Sequence, residues 1–227
     1  MTKGYLTDDC EWYVIQMGTT QPTDGGTLAT RVGDASNVLL VAPSLDSTHV
    51  DDACMEFLTV ADPGEEDVLS ISFNQSVDDA IDAWRSHAGT LPARLAVVSV
   101  GEETRSASAQ GTTLSGAQGT VTVDTVANPS DLTGIGIAVS GHLSAWAEDD
   151  RQAVVCLDSL SILLQYVDLK RAFRFLHVLT NRVEAVGATG HYHIDPTVHD
   201  ESTVGTLMQL FDAVVRFEDG EWTVRTR

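Results

Sequence analysis

Lysine is nearly missing from this sequence of 227 residues, which contains only Lys3 and Lys170. Its 13 basic residues face 33 acidic ones, so the formal net charge is −20. Such a charge weakens a compact state by self-repulsion, and salt near 1 M relieves it because the Debye length falls to about 3 Å. Arginine also carries a more weakly hydrated charge than lysine. We therefore expect adaptation to a very salty cell interior, and no binding of nucleic acid.

Long apolar runs and paired cysteines are lacking as well. No run of about 18 apolar residues occurs, and the first residues carry charges where a signal peptide would be apolar. We expect a cytoplasmic protein without membrane contact. The cysteines Cys10, Cys54 and Cys156 are odd in number and far apart, without the spacing of a zinc motif or a disulfide framework. They are interpreted as small core residues.

Short apolar runs alternate with amphipathic segments along most of the chain. The runs predict strands at 38–41, 68–73, 94–100, 121–125, 153–157 and 188–194. The amphipathic segments predict helices at 46–58, 76–87, 130–147, 168–186 and 201–211, and a hairpin follows at 213–217 and 222–225. This alternation predicts an α/β fold of three αβα layers, with a mainly parallel sheet and a C-terminal β-hairpin.

The domain prediction is a single domain over residues 1–227. Residues 1–32 are interpreted as an N-terminal extension of it. Residues 104–120 are rich in Ser, Thr, Gly, Ala and Gln and show no periodicity, so a flexible loop is predicted there.

An aspartate and a serine, Asp158 and Ser159, end the buried run Ala153-Val-Val-Cys-Leu. A helix with Arg171-Ala-Phe-Arg-Phe-Leu follows, then a turn at Gly187 and the closing segment Phe211-Asp-Ala-Val-Val-Arg-Phe. In this order, residues 33–227 resemble the RecA-like ATPases of the P-loop NTPase fold, particularly the KaiC-like branch. The resemblance implies a RecA-like sheet with Asp158 and Ser159 at the Walker B position. The chain is also similar to uncharacterised, degenerate haloarchaeal relatives, some of them transducer-like, which implies a role in signalling.

The residues with which that family binds and hydrolyses ATP are missing here. Its phosphate loop needs glycines and a lysine, but residues 34–63 contain no glycine and residues 4–169 no lysine. Asn74 and Gln75 stand where the resemblance places a pair of catalytic glutamates, and amides cannot accept the proton. We expect no catalytic residue, no cofactor, and a degenerate crevice lined by Asp158, Ser159, Asn74, Gln75, Ser44 and Ser47.

Three functions remain open from the sequence. The leading hypothesis is a non-catalytic regulatory or scaffold protein, a pseudo-ATPase that acts through protein partners. The partner would be a second copy of the chain or an active KaiC-like relative. The alternative is a weak nucleotide-binding sensor or ATPase that uses Asp158 with magnesium, and a less favoured one is a metal-dependent hydrolase.

Histidines suggest where such a hydrolase would hold its metal. His191, His193 and Asp195 alternate along a predicted strand, so they share one face, and His199 follows closely. Imidazole and carboxylate groups bind transition metals, but this spacing matches no closed zinc motif. A hydrogen-bonded structural role is therefore favoured, and no metal site is predicted.

Basic residues are concentrated in the predicted helix at 168–186. Arg171, Arg174 and His177 are three residues apart, which places them on roughly one helical face. They form either a contact surface for an acidic partner or an exposed face with salt bridges to Asp168 and Glu184.

Overall fold

One sheet organises the computed structural model, which describes residues 27–44, 47–73, 76–101, 112–116 and 119–227. Nine strands of these residues pair in the order β4-β5-β3-β2-β6-β7-β1-β8-β9. Their bounds are β1 Asn37–Val41, β2 Glu66–Ser72, β3 Arg94–Val100, β4 Thr112–Gly116, β5 Gly119–Val126, β6 Gln152–Asp158, β7 Thr189–Ile194, β8 Ala213–Glu218 and β9 Glu221–Thr226. The strands from β5 to β8 in this order are parallel, and β4 and β9 pair antiparallel at the two edges.

Helices cover both faces of the sheet. On one face, which we call the α2 face, lie α1 Leu28–Val32, α2 Ser47–Leu58 and α3 Val77–Ala88. On the other, the α6 face, lie α4 Leu132–Trp146, α5 Leu160–Tyr166, α6 Leu169–Ala185 and α7 Glu201–Met208. Val38 and Leu40 of β1 pack on the α2 face, while Leu39 and Val41 pack on the α6 face. The predicted three-layer α/β fold with its parallel sheet and C-terminal hairpin is confirmed.

The sequence determines these elements through apolar alternation and helix caps. Predicted bounds agree with the structure to within three residues at each end. Ser76 and Asp79 form a reciprocal capping box at the start of α3, and Asp168 accepts a hydrogen bond from the backbone of Arg171 at the start of α6. Within the described part of the chain, no helix combines the length and apolar character that a membrane crossing requires.

The predicted loop at 104–120 is partly wrong, because it contains a strand. β4 pairs antiparallel with β5, which itself begins at Gly119. An edge strand needs mainly backbone hydrogen bonds from its neighbour, and threonine favours extended structure, so the apolar alternation used for the prediction is absent. Residues 104–111 and 117–118 of the predicted loop lie outside the described residues.

Two further elements differ from the sequence prediction. The predicted N-terminal extension includes α1, whose Leu28 and Val32 are buried in the core; residues 1–26 lie outside the described residues. α5 was not predicted. It is a short helix that begins when Ser159 accepts a hydrogen bond from the backbone of Ile162, and an extended Val167 separates it from α6.

Candidate functional site

A cavity of about 700 Å³ opens between α2, α3 and the carboxyl ends of β1, β6 and β7. At this point β1 continues into α2 on one face of the sheet, while β6 continues into α5 on the other. Crevices where neighbouring strands diverge in this way are the usual ligand sites of open α/β sheets. Polar residues that line the cavity include Ser44, Asp51, Asp52, Asp158, Ser159 and Asp195, and Cys54, Cys156 and His193 line it as well.

The structure therefore brings together part of the crevice predicted from the sequence. Ser44, Asp158 and Ser159 all line the cavity. Ser159 also caps α5, so its side chain has a structural partner. Ser47 lies at the first position of α2. Asn74 and Gln75 lie outside the described residues.

Asp195 bonds to the segment that follows β1. One carboxylate oxygen accepts a hydrogen bond of 2.9 Å from the backbone nitrogen of Ser44. The other accepts bonds from the backbone nitrogen and the hydroxyl of Thr197, at 2.8 and 2.6 Å. Burial alone would raise the pKa of Asp195, but the hydrogen bonds from Thr197 and Ser44 outweigh it and lower the pKa to about 2. A fixed negative charge therefore lies at the end of β1.

A second group of polar side chains lies beneath α2 and consists of Cys54, Cys156, His191 and His193. We call it the Cys-His cluster. One potential ligand atom from each residue lies within 4.8 Å of all the others. Cys54 comes from α2, Cys156 from β6, and both histidines from β7. Three of the residues are buried and Cys54 is half-buried, so the cluster forms part of the interior between helix and sheet.

Distances within the Cys-His cluster are short. Cys54 Sγ lies 3.8 Å from Cys156 Sγ and 3.2 Å from His191 Nε2. Cys156 Sγ lies 3.8 Å from His193 Nε2. The ring of Phe57 stacks on His191 with centroids 5.8 Å apart. The other ring nitrogen of His191, Nδ1, is buried without a hydrogen-bond partner among the described residues.

The pKa values of Cys54, Cys156 and His193 are shifted in different directions. A hydrogen bond from Cys156 lowers the pKa of Cys54 well below its ordinary value, against the effect of burial and with help from the two histidines. The same hydrogen bond, together with burial, raises the pKa of Cys156. Burial would lower the pKa of His193, but the negative charges of Cys54, Asp158 and Asp51 raise it to about 9. These shifts favour the charged forms of Cys54 and His193 and the neutral form of Cys156.

The sequence interpretation of these residues needs two corrections. His191 and His193 do share a face, but Asp195 does not join them, because it lies beyond the end of β7 and bonds to Ser44 and Thr197. Cys54 and Cys156 are more than small core residues, since they complete a four-residue group with the histidines. His199 is bonded to Ser161 instead, at 3.0 Å, and Cys10 lies outside the described residues.

On the α6 face, two of the three predicted contact residues, Arg171 and Arg174, line a groove between α4 and α6, and His177 does not. Arg171, Arg174 and His177 are all exposed. The groove has a volume of about 580 Å³, and Ile137 and Val178 in its lining are 69% and 68% exposed. Because Arg171, Arg174 and Arg182 line it too, we call it the arginine groove.

The predicted salt bridges of this helical face are not found. Among residues 119–227, neither Arg171 nor Arg174 pairs with Asp168 or Glu184. The carboxylate of Asp168 instead accepts the backbone hydrogen bond that begins α6. The arginines therefore keep their charge available at the surface.

These features define a three-layer α/β protein with a negatively charged crevice at the carboxyl edge of its sheet. Residues 35–217 match the Family of unknown function (DUF7504), and the chain belongs to that family. No curated protein matches the chain.

Two solved structures from Pyrococcus horikoshii are similar to this chain. One, a structural study of Project ID PH0250 from strain OT3, has 9% sequence identity and a TM-score of 0.52, with 83% of this chain and 84% of that chain covered. The other, the uncharacterized protein PH0321 in complex with an unknown peptide, has 14% identity and a TM-score of 0.47, with 83% and 81% covered. The first similarity supports the fold alone.

Proposed function

We propose that this protein is a non-catalytic regulatory or scaffold protein on a RecA/KaiC-like fold that no longer binds ATP. The observation that carries the proposal is the hydrogen bond between Asp195 and the backbone of Ser44. In P-loop proteins, backbone amides after the first strand bind the phosphates. Here the amide in that segment already binds a carboxylate of the same chain, which a phosphate would have to displace.

The remaining charges of the crevice also oppose a phosphate. Asp51, Asp158 and Asp195 all line it. Burial, followed by the negative charges of Cys54 and Asp158, raises the pKa of Asp51, which reflects the negative potential in this region. Two like charges about 4 Å apart repel by about 4 kcal/mol at the effective dielectric of a protein surface. The only lysine among the described residues is Lys170. It lies on the opposite face of the sheet, where it cannot offset these negative charges.

A regulatory protein of this kind acts through a contact surface, and the arginine groove supplies one. We propose that its occupant is a second copy of this chain. The groove combines exposed apolar side chains with arginines, whereas the chain as a whole carries a net charge of −20. Another copy therefore presents mainly acidic surface to these arginines. Burial of Ile137 and Val178 would hold the contact in concentrated salt, which screens charges but strengthens apolar association.

The two alternatives from the sequence make different demands on the site. A hydrolytic metal needs a coordination position open to water, with only three protein ligands. The Cys-His cluster offers four protein donors, so it does not match that requirement. A nucleotide sensor needs an anion site in the crevice, where the structure places carboxylates.

Nucleotide binding is tested by thermal unfolding of the full chain in molar potassium chloride, with and without millimolar magnesium ATP or GTP. We expect no change in Tm. A ligand present at 100 times its Kd adds about 2.7 kcal/mol, which corresponds to roughly 5–10 °C for a chain of this size.

The matched control for this experiment is Asp158→Asn. A nucleotide-dependent rise in Tm that this substitution abolishes would contradict the proposal and establish the nucleotide sensor. A rise that survives the substitution would contradict the proposal too, and would place the nucleotide away from Asp158.

A further inference from the structure

We propose that Cys54, Cys156, His191 and His193 bind one zinc ion between α2 and the sheet. The inference goes beyond the proposed function, because it concerns the interior beneath α2 and not the phosphate-binding segment. It rests on two observations: the separations of the donor atoms and their chemical types.

Three of the six donor–donor separations lie close to those of a tetrahedral zinc site, and all six are within 4.8 Å. With zinc–sulfur bonds of about 2.3 Å and zinc–nitrogen bonds of about 2.0 Å, two sulfurs are about 3.8 Å apart and a sulfur lies about 3.5 Å from a nitrogen. Here the sulfurs of Cys54 and Cys156 are 3.8 Å apart. The two measured sulfur–nitrogen distances, 3.2 Å to His191 and 3.8 Å to His193, lie on either side of the expected value.

The donor types select the metal. Two thiolates with two imidazoles in tetrahedral arrangement are typical of zinc, whereas calcium and magnesium prefer oxygen ligands. Four protein donors fill the coordination sphere, so the site is of the closed, structural kind.

The surroundings of the histidines complete the arrangement. Asp158 Oδ1 lies 3.9 Å from Nδ1 of His193, on the ring nitrogen opposite to the one that faces Cys156. Carboxylates beside the free nitrogen of a ligating histidine orient the ring and raise its basicity. The predicted Walker B aspartate thus acquires a positioning role toward His193. On His191, the buried Nδ1 has no partner within the described part of the chain, so a metal on Nε2 leaves that nitrogen as the proton carrier.

Zinc at this position would join parts of the chain that are distant in sequence. Cys54 is separated from Cys156 by 102 positions and from His191 by 137. The ion would fasten the helix that directly follows β1 to two central strands. Since metal binding to a site formed only in the folded state adds to folding stability, we expect zinc to stabilise α2 in particular.

The direct test is zinc stoichiometry. Full-length protein is equilibrated with zinc alone in molar potassium chloride, dialysed, and analysed for metal. We expect about one zinc ion per chain in the wild type and a loss of most of it in Cys54→Ser and His193→Ala. Cys10→Ser is the matched control, because it removes the cysteine that is not in the cluster, and it should retain the zinc. A wild type that holds no zinc, or variants that hold as much as the wild type, would overturn the proposal.

A second measurement does not depend on variants that fold. Cobalt(II) alone, added to the metal-free wild type, should give the intense visible absorption and the thiolate charge-transfer band of a tetrahedral site with sulfur ligands. The weak spectrum of octahedral cobalt would overturn the inference. So would a Cys54–Cys156 disulfide, detected as a mass lower by two hydrogens in freshly purified protein. Hydrogen exchange should also show faster exchange in α2 after chelation, with α6 unchanged.

Discussion

The buried polar groups on the two faces of β7 differ in their hydrogen bonding. On the α6 face, the hydroxyl of Tyr192 donates a 2.9 Å hydrogen bond to Asn37, whose amide nitrogen donates to the backbone of Thr180. On the α2 face, His191 and His193 meet two cysteines at longer separations, and one imidazole nitrogen has no partner among the described residues. Buried polar groups are normally satisfied. The contrast teaches that the polar pair on the α6 face is satisfied within the chain, while the α2 face gathers four metal-type donors, with one imidazole nitrogen of His191 left unpaired among the described residues.

The same contrast extends to the helices. The core on the α6 face is built mainly from aliphatic side chains of α4, α5, α6 and α7. On the α2 face, apolar residues of α2 and α3 share the interface with the Cys-His cluster and the cavity above it. Both faces therefore bury apolar side chains, and the groups capable of ligand chemistry lie on the α2 face.

The comparison is tested most strongly by one substitution on each face of β7. Tyr192→Phe leaves an acceptor of Asn37 unpaired, and we expect a loss of about 1–3 kcal/mol of unfolding free energy, the same with zinc as with a chelator. His191→Phe should forfeit the zinc-dependent part, about 4 kcal/mol at zinc concentrations 1,000 times the Kd. Both are measured by chemical unfolding in molar potassium chloride. Equal zinc dependence of the two variants would remove the distinction between the faces.

A second prediction concerns the outer surface of the α6 face. If the arginine groove binds a second copy, Arg174→Glu and Val178→Asp should weaken self-association at least about tenfold, or about 1.4 kcal/mol. Size-exclusion chromatography with light scattering over a range of protein concentrations measures this. Arg85→Glu, an exposed arginine of α3 on the α2 face, is the charge-matched control and should associate normally. A wild type that is monomeric throughout would contradict the proposed occupant.

The smallest expected effect is a difference in stability between substitutions of two serines in the crevice. Ser159→Ala removes the cap of α5 and should cost about 1 kcal/mol of stability. Ser44→Ala should cost less, because the substitution keeps the backbone hydrogen bond to Asp195 and removes only the weaker contact of the hydroxyl. Thermal unfolding of both variants measures the difference. A larger loss for Ser44→Ala than for Ser159→Ala would mean that its hydroxyl has a role the backbone contact does not explain.

Most of the fold could be predicted from the sequence because its signals are local. Buried parallel strands such as β1 and β6 are short apolar runs, and Asp168 marks the start of α6 by a side chain that caps the helix. β4 escaped prediction because an edge strand needs no apolar alternation. α5 escaped because its seven residues, about two turns directly after a strand, show too little periodicity to recognise.

Only the histidine half of the Cys-His cluster could be predicted from the sequence. The alternation of His191 and His193 is local and indicates a shared face. The cysteines became their neighbours through strand order, which places β6 beside β7, and through register, which pairs Cys156 with His191. Neither order nor register can be read from the spacing of Cys54 and Cys156 along the chain. The contact of Asp195 with Ser44 depends likewise on β7 lying next to β1.

The position of β7 has a consequence for synthesis of the protein. β1 and β6 leave the ribosome before β7, yet β7 lies between them in the finished sheet. Until β7 is made, β1 and β6 each lack the neighbouring strand that β7 provides. Cys54 and Cys156 also lack the two histidines that later lie beside them. The centre of the sheet can therefore be completed only after β7 has been synthesised. The same strand supplies the two histidines of the Cys-His cluster. The Cys-His cluster is therefore assembled only near the end of synthesis, when α7, β8 and β9 are the elements still to follow.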